Sequence, residues 1–489
     1  MDLLSGLVNA LSPANLGFAL IGAFLGTLVG VLPGVGTVST MAMLLPFTHY
    51  LPPEGMIITL AAVYYGATYG GSTTAILMNV PGEVSAVVTA LDGYEMTRQG
   101  RPGPALAIAA IVSFMAGIIG CVLIVALGPI VAKWALVFGP AEYLGLALFT
   151  VTTIVALSAE SLHKGLIVAV AGLILVSVGA GSVGSTIPRL TFGNVDLLLG
   201  FDLVPVMIGL FGVGEVLYGL RRLDLQARAA QVGSLMPERD ELKKSVASGL
   251  RATAISFPLG LFPGITPSIC SFLSYAVEKR VSRTPQRFGK GAIEGVAAAE
   301  AANNAAAMGH LVPLLALGVP AGAGMALLLA AFTSYGIIPG PLLFSNYSKL
   351  VWTIIGSFFV ANILLLILNL PLVKWWARIA EIPYAALAPV IVVLCTVGAF
   401  VVRNSMFDVL VMLVFGLVGL AMRRGNWPMA PMILAYVLGP LIESSGRQVL
   451  AVGPALLLER PIFWAFVALG ALALWASRGL LTPAIEDAD

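Results

Sequence analysis

A carboxylate and two amides stand close together in a stretch of the chain that is otherwise almost entirely alanine. Glu300, Asn303 and Asn304 are three and four residues apart, so on a helix they share one face. Polar groups of this kind need partners when they are shielded from water. We therefore predict that this face contacts an ion or a substrate, with a purely structural polar network as the alternative.

Pro-Gly turns form a second set of candidates. A helix that begins just after such a break directs unpaired N–H groups and a positive dipole end at its surroundings, which suits a carboxylate ligand. Carbonyl groups freed just before the break suit a sodium ion, so a sodium site at the turns is also predicted, with unknown ligands. Hydroxyls near the turns could instead only cap helices. The candidate substrate-binding residues are Pro33, Gly34, Gly36, Thr37, Ser72, Thr73, Asn79, Pro81, Gly82, Pro263, Gly264, Thr266 and Pro320.

Composition determines the kind of element that must position these residues. Hydrophobic residues make up 59% of the 489-residue chain, charged residues only 10%, and the mean hydropathy is +0.98. A soluble protein of this size could not cover its surface with so few charges. We expect an all-α polytopic membrane protein with roughly 12 membrane spans plus hairpins. Its 54 glycines and 30 prolines predict broken helices.

Several functional classes are disfavoured by what the sequence contains. The net charge of +2 and the scattered basic residues give no footprint for nucleic acid. Cys121, Cys270 and Cys395 stand singly in apolar stretches and are interpreted as packing residues. With three histidines in all, no His-Glu-x-x-His motif occurs, and no P-loop is present, so neither a membrane enzyme nor an ATPase is predicted.

The sequence repeats itself at a spacing of about 230 residues. Gly30 to Gly36 is echoed by Gly260 to Thr266, and Asn79 to Gly82 is echoed by Gly318 to Gly322. Two matches in the same order indicate an internal duplication, and a chance pair of turns is the alternative. The predicted organisation is a first membrane repeat with following helices, a cytoplasmic linker, and a second membrane repeat with following helices, at 1–220, 221–251 and 252–489.

Basic loops orient the two repeats, because short loops rich in Lys and Arg stay in the cytoplasm. With the linker inside, the loop 279–290 and the loop 98–101 also lie inside, whereas the neutral stretch 339–348 lies outside. The two repeats then have opposite orientations, with the N-terminus outside and the C-terminus inside. Lys133, Arg189 and Arg403 fall outside on this count and argue against it.

Length bears on whether the Pro-Gly segments cross the membrane. Segments 16–32 and 37–51 would reach only about 22–26 Å as helices. Re-entrant hairpins are therefore favoured over full spans, which charge counting alone cannot distinguish. Near these segments, we expect Glu83, Asp92 and Glu95 to be solvated at the cytoplasmic surface and His310 to be a hydrogen-bonded core residue.

Seven motifs together resemble the large membrane subunit of the tripartite tricarboxylate transporters, the TctA family, over nearly the full length of the chain. They are Gly30 to Gly36, Tyr65 to Ser72, Asn79 to Glu83, Asp92 to Glu95, Phe288 to Gly295, Glu300 to Asn304, and Gly340-Pro341. The chain departs from the family pattern at Ile265-Thr266-Pro267, where a second Pro-Gly-x-Gly is usual, and at Ala321. Both departures put the identity of the substrate in doubt.

The resemblance implies secondary transport driven by an ion gradient, with a smaller membrane subunit of about four helices and a periplasmic solute-binding protein. The implied substrate is a tricarboxylate or related carboxylate, the coupling ion is sodium or a proton, and the location is the bacterial inner membrane. Counted from the basic loops, the N-terminus is periplasmic and the C-terminus cytoplasmic. Glu300, Asn303 and Asn304 are the candidate ion-coupling residues. A large subunit of a TRAP-type carboxylate transporter and a self-sufficient ion-coupled carboxylate carrier are the alternatives.

Overall fold

The computed structural model describes residues 3–32, 35–158, 161–180, 188–220 and 232–481. Helices dominate these residues, as the apolar composition predicts. Two candidate substrate-binding residues of the first Pro-Gly turn, Pro33 and Gly34, lie outside the described residues.

Ten α-helices precede the linker. α9 continues through a π-helical turn at Ile208–Val213 into α10. A short antiparallel pair of strands, β1 (Gly179–Ala180) and β2 (Pro188–Arg189), follows α8 and aligns Gly179 with Arg189. The helices are α1 (Leu3–Ala10), α2 (Pro13–Val31), α3 (Thr37–Thr48), α4 (Pro53–Met78), α5 (Val87–Arg98), α6 (Pro102–Ala135), α7 (Pro140–Ser158), α8 (Leu162–Val176), α9 (Leu203–Met207) and α10 (Gly214–Gly219).

Twelve α-helices follow. The first of them begins at Arg239, inside the segment interpreted as a linker, so the helix extends further towards the linker than its apolar residues indicated. A capping box formed by Glu238 and Glu241 defines this start. The helices are α11 (Arg239–Gly260), α12 (Pro267–Val281), α13 (Ile293–Gly309), α14 (Leu311–Leu317), α15 (Ala323–Ser334), α16 (Leu343–Asn346), α17 (Ser348–Asn369), α18 (Val373–Ile379), α19 (Tyr384–Arg403), α20 (Met406–Arg424), α21 (Ala430–Val452) and α22 (Pro461–Leu481). Short 3₁₀ turns lie at Val84–Ala86, Val195–Leu197, Pro285–Arg287 and Pro454–Glu459.

The helices break at the two predicted Pro-Gly turns. α2 ends at Val31 and α3 begins at Thr37, while α11 ends at Gly260 and α12 begins at Pro267. α3 has 12 residues and α12 has 15, lengths of about 18 and 22 Å. Neither is long enough to cross the roughly 30 Å apolar core of a bilayer unaided. The helices before the breaks, α2 and α11, have 19 and 22 residues, and α2 is long and apolar enough to cross, so the re-entrant hairpins stay a prediction.

Six helices in the described part of the chain are long and apolar enough to cross a membrane: Pro13–Val31, Pro102–Ala135, Pro140–Leu157, Ser348–Asn369, Tyr384–Arg403 and Met406–Arg424. Shorter apolar helices include Leu162–Val176 and Leu203–Gly219. The chain is an all-α membrane protein, as predicted, whereas the count of 12 spans and the inverted repeat stay predictions.

Two helix pairs pack backbone to backbone through small residues. On α2, a Cβ at Gly26 or Gly30 would collide with carbonyl groups of α4. On α11, a Cβ at Gly260 would collide with the Ala306 carbonyl of α13. Close approach of this kind is typical of membrane helices, where small residues allow van der Waals contact. It holds α4 and α13, which carry the candidate site, against the helix that precedes each break.

Candidate functional site

Glu300 lies at the centre of a buried polar cluster where four helices meet. Its carboxylate accepts hydrogen bonds from Ser72 on α4 at 2.6 Å, from Thr89 on α5, and from Ser113 on α6 at a longer 3.4 Å. Every residue of α13, including Glu300, is buried. The alanines of α13 explain this placement, because their small side chains let the neighbouring helices reach the carboxylate.

Asn304 connects Glu300 to the surrounding helices. Its Nδ2 lies 2.8 Å from Ser113 Oγ, 2.9 Å from the Glu300 carbonyl and 2.6 Å from Asn303 Oδ1. Its Oδ1 accepts a bond of 3.1 Å from Thr68 on α4. The structure thus joins the three predicted ion-coupling residues in one cluster.

A small cavity adjoins the cluster. Its volume is about 10 Å³, so it holds about one water-sized species. Ser72 and Thr73, predicted to bind substrate, therefore lie beside the predicted ion-coupling residue Glu300. The lining residues are Tyr69, Ser72, Thr73, Leu106, Ala109, Ala110, Ser113, Glu300, Asn369 and Val373.

Thr89, Ser113 and Asn369 were missed by sequence reasoning. Ser113 and Asn369 stand among apolar neighbours on α6 and α17, and Thr89 is an ordinary polar residue of the more polar helix α5. The only available signal was the cost of burying a lone polar side chain in an apolar segment, which applies to Ser113 on α6 and Asn369 on α17. That signal does not identify a partner.

The first Pro-Gly turn (the first tip) leads into α3, whose start is connected to the Glu300 cluster through Glu83 and Gly71. Gly36 has a positive φ of 68° and precedes α3, a conformation that glycine adopts without strain. Thr37, the first residue of α3, directs its hydroxyl and its backbone N–H at the Glu83 carboxylate. Gly71, next to Ser72, packs against Glu83, because a Cβ there would lie 2.8 Å from the Glu83 Cβ.

The loop that follows α4 contacts the end of α2 and the start of α3. Asn79 ends α4 in the left-handed conformation, with φ 57°. Pro81 is half-buried in this loop. Gly82 is buried and its N–H donates to the Gly71 carbonyl at 3.4 Å, and a Cβ on Gly82 would collide with the Gly30 carbonyl oxygen. Gly82 therefore lies against Gly30, and its neighbour Glu83 lies against the predicted residue Thr37.

The second Pro-Gly turn, Pro263 to Thr266 (the second tip), pairs with the loop from Gly318 to Gly322 that follows α14. The N–H of Gly264 donates to the Ala321 carbonyl at 3.1 Å, next to the buried Pro320. The Thr266 hydroxyl accepts from the Ile269 N–H at 3.4 Å and so caps α12, the structural role that the sequence left open for it. Pro263, a buried residue, precedes Gly264 at the turn.

His310 supports the second tip. It is buried, its Nε2 donates to the Ile265 carbonyl at 2.9 Å, and its Nδ1 lies 3.4 Å from the Tyr64 hydroxyl. A carbonyl can only accept, so the proton is on Nε2 and Nδ1 accepts from Tyr64. The prediction of a hydrogen-bonded core histidine is confirmed.

Asp92 is not at the solvated surface, so that prediction is wrong. Its carboxylate is fully buried and accepts from the N–H groups of Gly291 and Ala292 and from the Tyr275 hydroxyl, each at 2.8 Å. The backbone donors belong to the loop that starts α13. The misplacement arose because the donors lie about 200 residues away in the chain, beyond the range of any local pattern.

Comparison with known proteins agrees with this architecture. Residues 16–434 match the tripartite tricarboxylate transporter TctA family. The chain belongs to that family. It is a membrane subunit of a tripartite tricarboxylate transporter, so it works with other subunits and is a transporter rather than an enzyme.

Two relatives come from Agrobacterium vitis. One, an uncharacterized 52.8 kDa protein of the TAR-I ttuC' 3' region, is 42% identical over 482 residues, which cover 96% of this TctA-family chain and 95% of the relative. The other, an uncharacterized protein of the TAR-II ttuC' 3' region, is 45% identical over 194 residues, 40% of this chain and 80% of the relative. No solved structure matches the chain.

Proposed function

We propose that this chain is the large membrane subunit of a binding-protein-dependent secondary transporter of the bacterial inner membrane. It imports tricarboxylates or related carboxylates and uses a sodium or proton gradient. A smaller membrane subunit and a periplasmic solute-binding protein complete the assembly. The observation that carries this proposal is the fully buried carboxylate of Glu300 between helices of the two halves of the chain.

A carboxylate in this position suits ion coupling. An ionised carboxylate shielded from water is costly unless it is paired with a positive charge or protonated. None of the ion pairs between described residues involves Glu300. A cation or proton that binds there neutralises the charge, so its binding can be linked to a change in how α4 and α13 pack.

The two tips suit carboxylate recognition. α3 and α12 each begin directly after a break, where N–H groups and the positive dipole end favour an anion. Two of these N–H groups have partners within the chain: that of Thr37 bonds Glu83, and that of Ile269 bonds the Thr266 hydroxyl. The Glu83 carboxylate held by Thr37 supports this assignment, since it demonstrates that the start of α3 can hold a carboxylate. We propose that Gly36 and Thr37 in the first half and Gly264 and Thr266 in the second contact the transported substrate.

Contacts between loops support the proposed orientation. Arg101 pairs with Glu241 at 2.7 Å, and Gln99 donates to the Lys290 carbonyl at 2.8 Å. These bonds gather the loop before α6, the start of α11 and the basic loop before α13 on one side of the protein. All three were assigned to the cytoplasm by charge.

Two of the cations that opposed the orientation are neutralised. Arg189 pairs with Glu443 at 2.9 Å, and Arg403 pairs with Asp408. Orientation follows the number of Lys and Arg residues rather than the net charge, so these pairs do not remove the objection. On the loop contacts, we propose inverted repeats with a periplasmic N-terminus and a cytoplasmic C-terminus.

Uptake measurements test the function. All three subunits are placed in vesicles, labelled citrate and a panel of dicarboxylates and aromatic acids are added, and sodium and proton gradients are imposed separately. We expect uptake that requires the binding protein and follows an ion gradient. Uptake without either partner, or no uptake under any gradient, would overturn the proposal.

A further inference from the structure

The cavity beside Glu300 has an oxygen-rich wall. Besides the carboxylate, it is lined by the hydroxyl-bearing residues Ser72, Thr73 and Ser113 and by the amide residue Asn369. These residues belong to α4, α6, α13 and α17, so the two halves of the chain both contribute. The remaining space is the size of one water molecule.

Asn369 lines this cavity and has a side-chain acceptor without a partner. Its side chain is 7% exposed, and its Oδ1 is buried without a hydrogen-bond partner. Its Nδ2 donates to the Leu365 carbonyl at 2.9 Å and to Thr27 Oγ1 at 3.3 Å. If the Asn369 amide were turned over, its Oδ1 would face the Leu365 carbonyl oxygen, and neither atom can donate a hydrogen bond. The hydrogen bonds therefore assign Oδ1 as the atom without a partner.

A buried acceptor without a partner, in the wall of the same cavity as a carboxylate that has no ion pair, favours a cation. Leaving a buried acceptor unsatisfied costs free energy, and leaving a buried carboxylate uncompensated costs more. A proton on Glu300 would neutralise the carboxylate but would not satisfy the Asn369 oxygen. A cation between them would do both.

The donors identify the kind of cation. Carboxylate, hydroxyl and amide oxygens are hard ligands that suit alkali and alkaline-earth ions rather than zinc or copper. In the described part of the chain no group of three or more His, Cys, Asp or Glu residues is placed to hold a metal ion. A single carboxylate balances one positive charge, and a divalent ion would leave a net charge in an apolar interior.

We propose that this cavity binds one sodium ion, with the Glu300 carboxylate and the Asn369 side-chain oxygen as ligands and Ser72, Thr73 and Ser113 as hydroxyl ligands. The inference rests on the proposed ion-coupled function, and it names the ion and a ligand on α17. Sodium binding would hold α17 and α4 together at α13. The site therefore links the ion to the packing of the two halves.

Sodium binding to the purified full-length chain tests this inference without any transport measurement. Thermal unfolding is followed in NaCl and in KCl at equal ionic strength, because a ligand that binds only the folded protein raises the unfolding temperature with its concentration. We expect sodium to stabilise the wild type over potassium. Asn369→Leu should raise the apparent sodium dissociation constant about tenfold or more, since a bond to a charged group is lost.

Asn362→Leu is the matched control. Asn362 lies seven residues earlier on α17 and makes the same kind of bond to a carbonyl four residues back, at 3.2 Å, but its Oδ1 already accepts from Tyr69 and it does not line the cavity. Its sodium affinity should stay within about twofold of the wild type. Glu300→Gln, a substitution of nearly the same shape, should abolish the stabilisation by sodium over potassium. This variant tests the site if Asn369→Leu fails to fold.

The outcomes separate this site from the function itself. Equal stabilisation by NaCl and KCl, with uptake still driven by a proton gradient, would overturn the sodium site and leave carboxylate import intact. Sodium stabilisation that is unchanged in Asn369→Leu would place the ion elsewhere and would also overturn it. Absence of uptake under every gradient bears only on the proposed function.

Discussion

Ser72 on α4 donates a hydrogen bond of 2.6 Å to the Glu300 carboxylate on α13, although 228 residues separate them in the chain. This bond joins α4 and α13, each of which packs through small residues against the helix before a break. Glu300 therefore connects helices that are far apart in the chain.

Glu300→Gln should abolish uptake driven by an ion gradient while preserving membrane insertion. Glutamine retains the shape of glutamate but not its charge, so the buried site can no longer bind a cation or a proton. We expect the uptake rate to fall about tenfold or more, which corresponds to the loss of one or more bonds to a charged group. Uptake in vesicles is the measurement.

Glu95→Gln is the control for that variant. Glu95 is on α5, is partly exposed, and pairs with Arg98 at 2.9 Å. An exposed pair of this kind contributes little, so uptake should be close to the wild type. Comparable activity in Glu300→Gln and Glu95→Gln would refute the coupling role of Glu300.

Gly82→Ala should destabilise the first tip. A Cβ at Gly82 would collide with the Gly30 carbonyl oxygen, which is backbone and cannot move without disturbing α2. We expect a loss of about 1–3 kcal/mol of stability, the usual cost of overpacking, seen as a lower thermal unfolding temperature.

Gly322→Ala is the matched control in the equivalent loop of the second half. No atom lies within 4 Å of a Cβ at Gly322, and its φ of −169° is extended backbone open to any residue. It should unfold at the wild-type temperature. Equal unfolding temperatures for the two variants would contradict the close packing of Gly82.

Asp92→Ala should destabilise the start of α13. The substitution leaves the buried N–H groups of Gly291 and Ala292 without acceptors, at a cost of about 1–3 kcal/mol each. Thermal unfolding of the purified variant measures the loss. Tyr275→Phe removes only one of the three donors to Asp92 and should cost less, so a larger effect of Tyr275→Phe would argue against this account.

The Arg101–Glu241 contact should contribute stability that depends on pH. Burial alone would raise the pKa of Glu241, but the hydrogen bonds and charge of Arg101 hold it below the ordinary value. A carboxylate whose pKa is lower in the folded state stabilises the protein above its unfolded pKa and loses that contribution as pH falls. The contribution should be under about 1 kcal/mol, because Arg101 is partly exposed.

Unfolding of the wild type and Glu241→Gln at several pH values measures this contribution. The difference between them should be present near neutral pH and should shrink as pH falls through about 4. Asp240→Asn, a neighbouring change in the same first turn of α11, serves as the control for the loss of an acidic residue there. A difference that grows on acidification would contradict the assigned pair.

Parts of the candidate site were predictable because their signals are local. Glu300, Asn303 and Asn304 share a helical face by their spacing alone, and the structure places them in one cluster. The helix breaks near Gly36 and Gly264 followed from proline and glycine chemistry within a few residues. Asp92 was assigned wrongly, since a charge in a short polar helix looks solvated unless its distant donors are known.

The sequence by itself determined that this is an all-α membrane protein of the TctA family with Pro-Gly breaks in both halves, because hydropathy, backbone restriction and motif spacing act over short stretches of chain. Only the tertiary structure decided which side chains surround Glu300. Thr89 and Ser113 lie 211 and 187 residues away from it, and Asn369 faces the same cavity from the end of another helix. Which helix faces meet depends on how small residues let the backbones pack, and no local pattern records that.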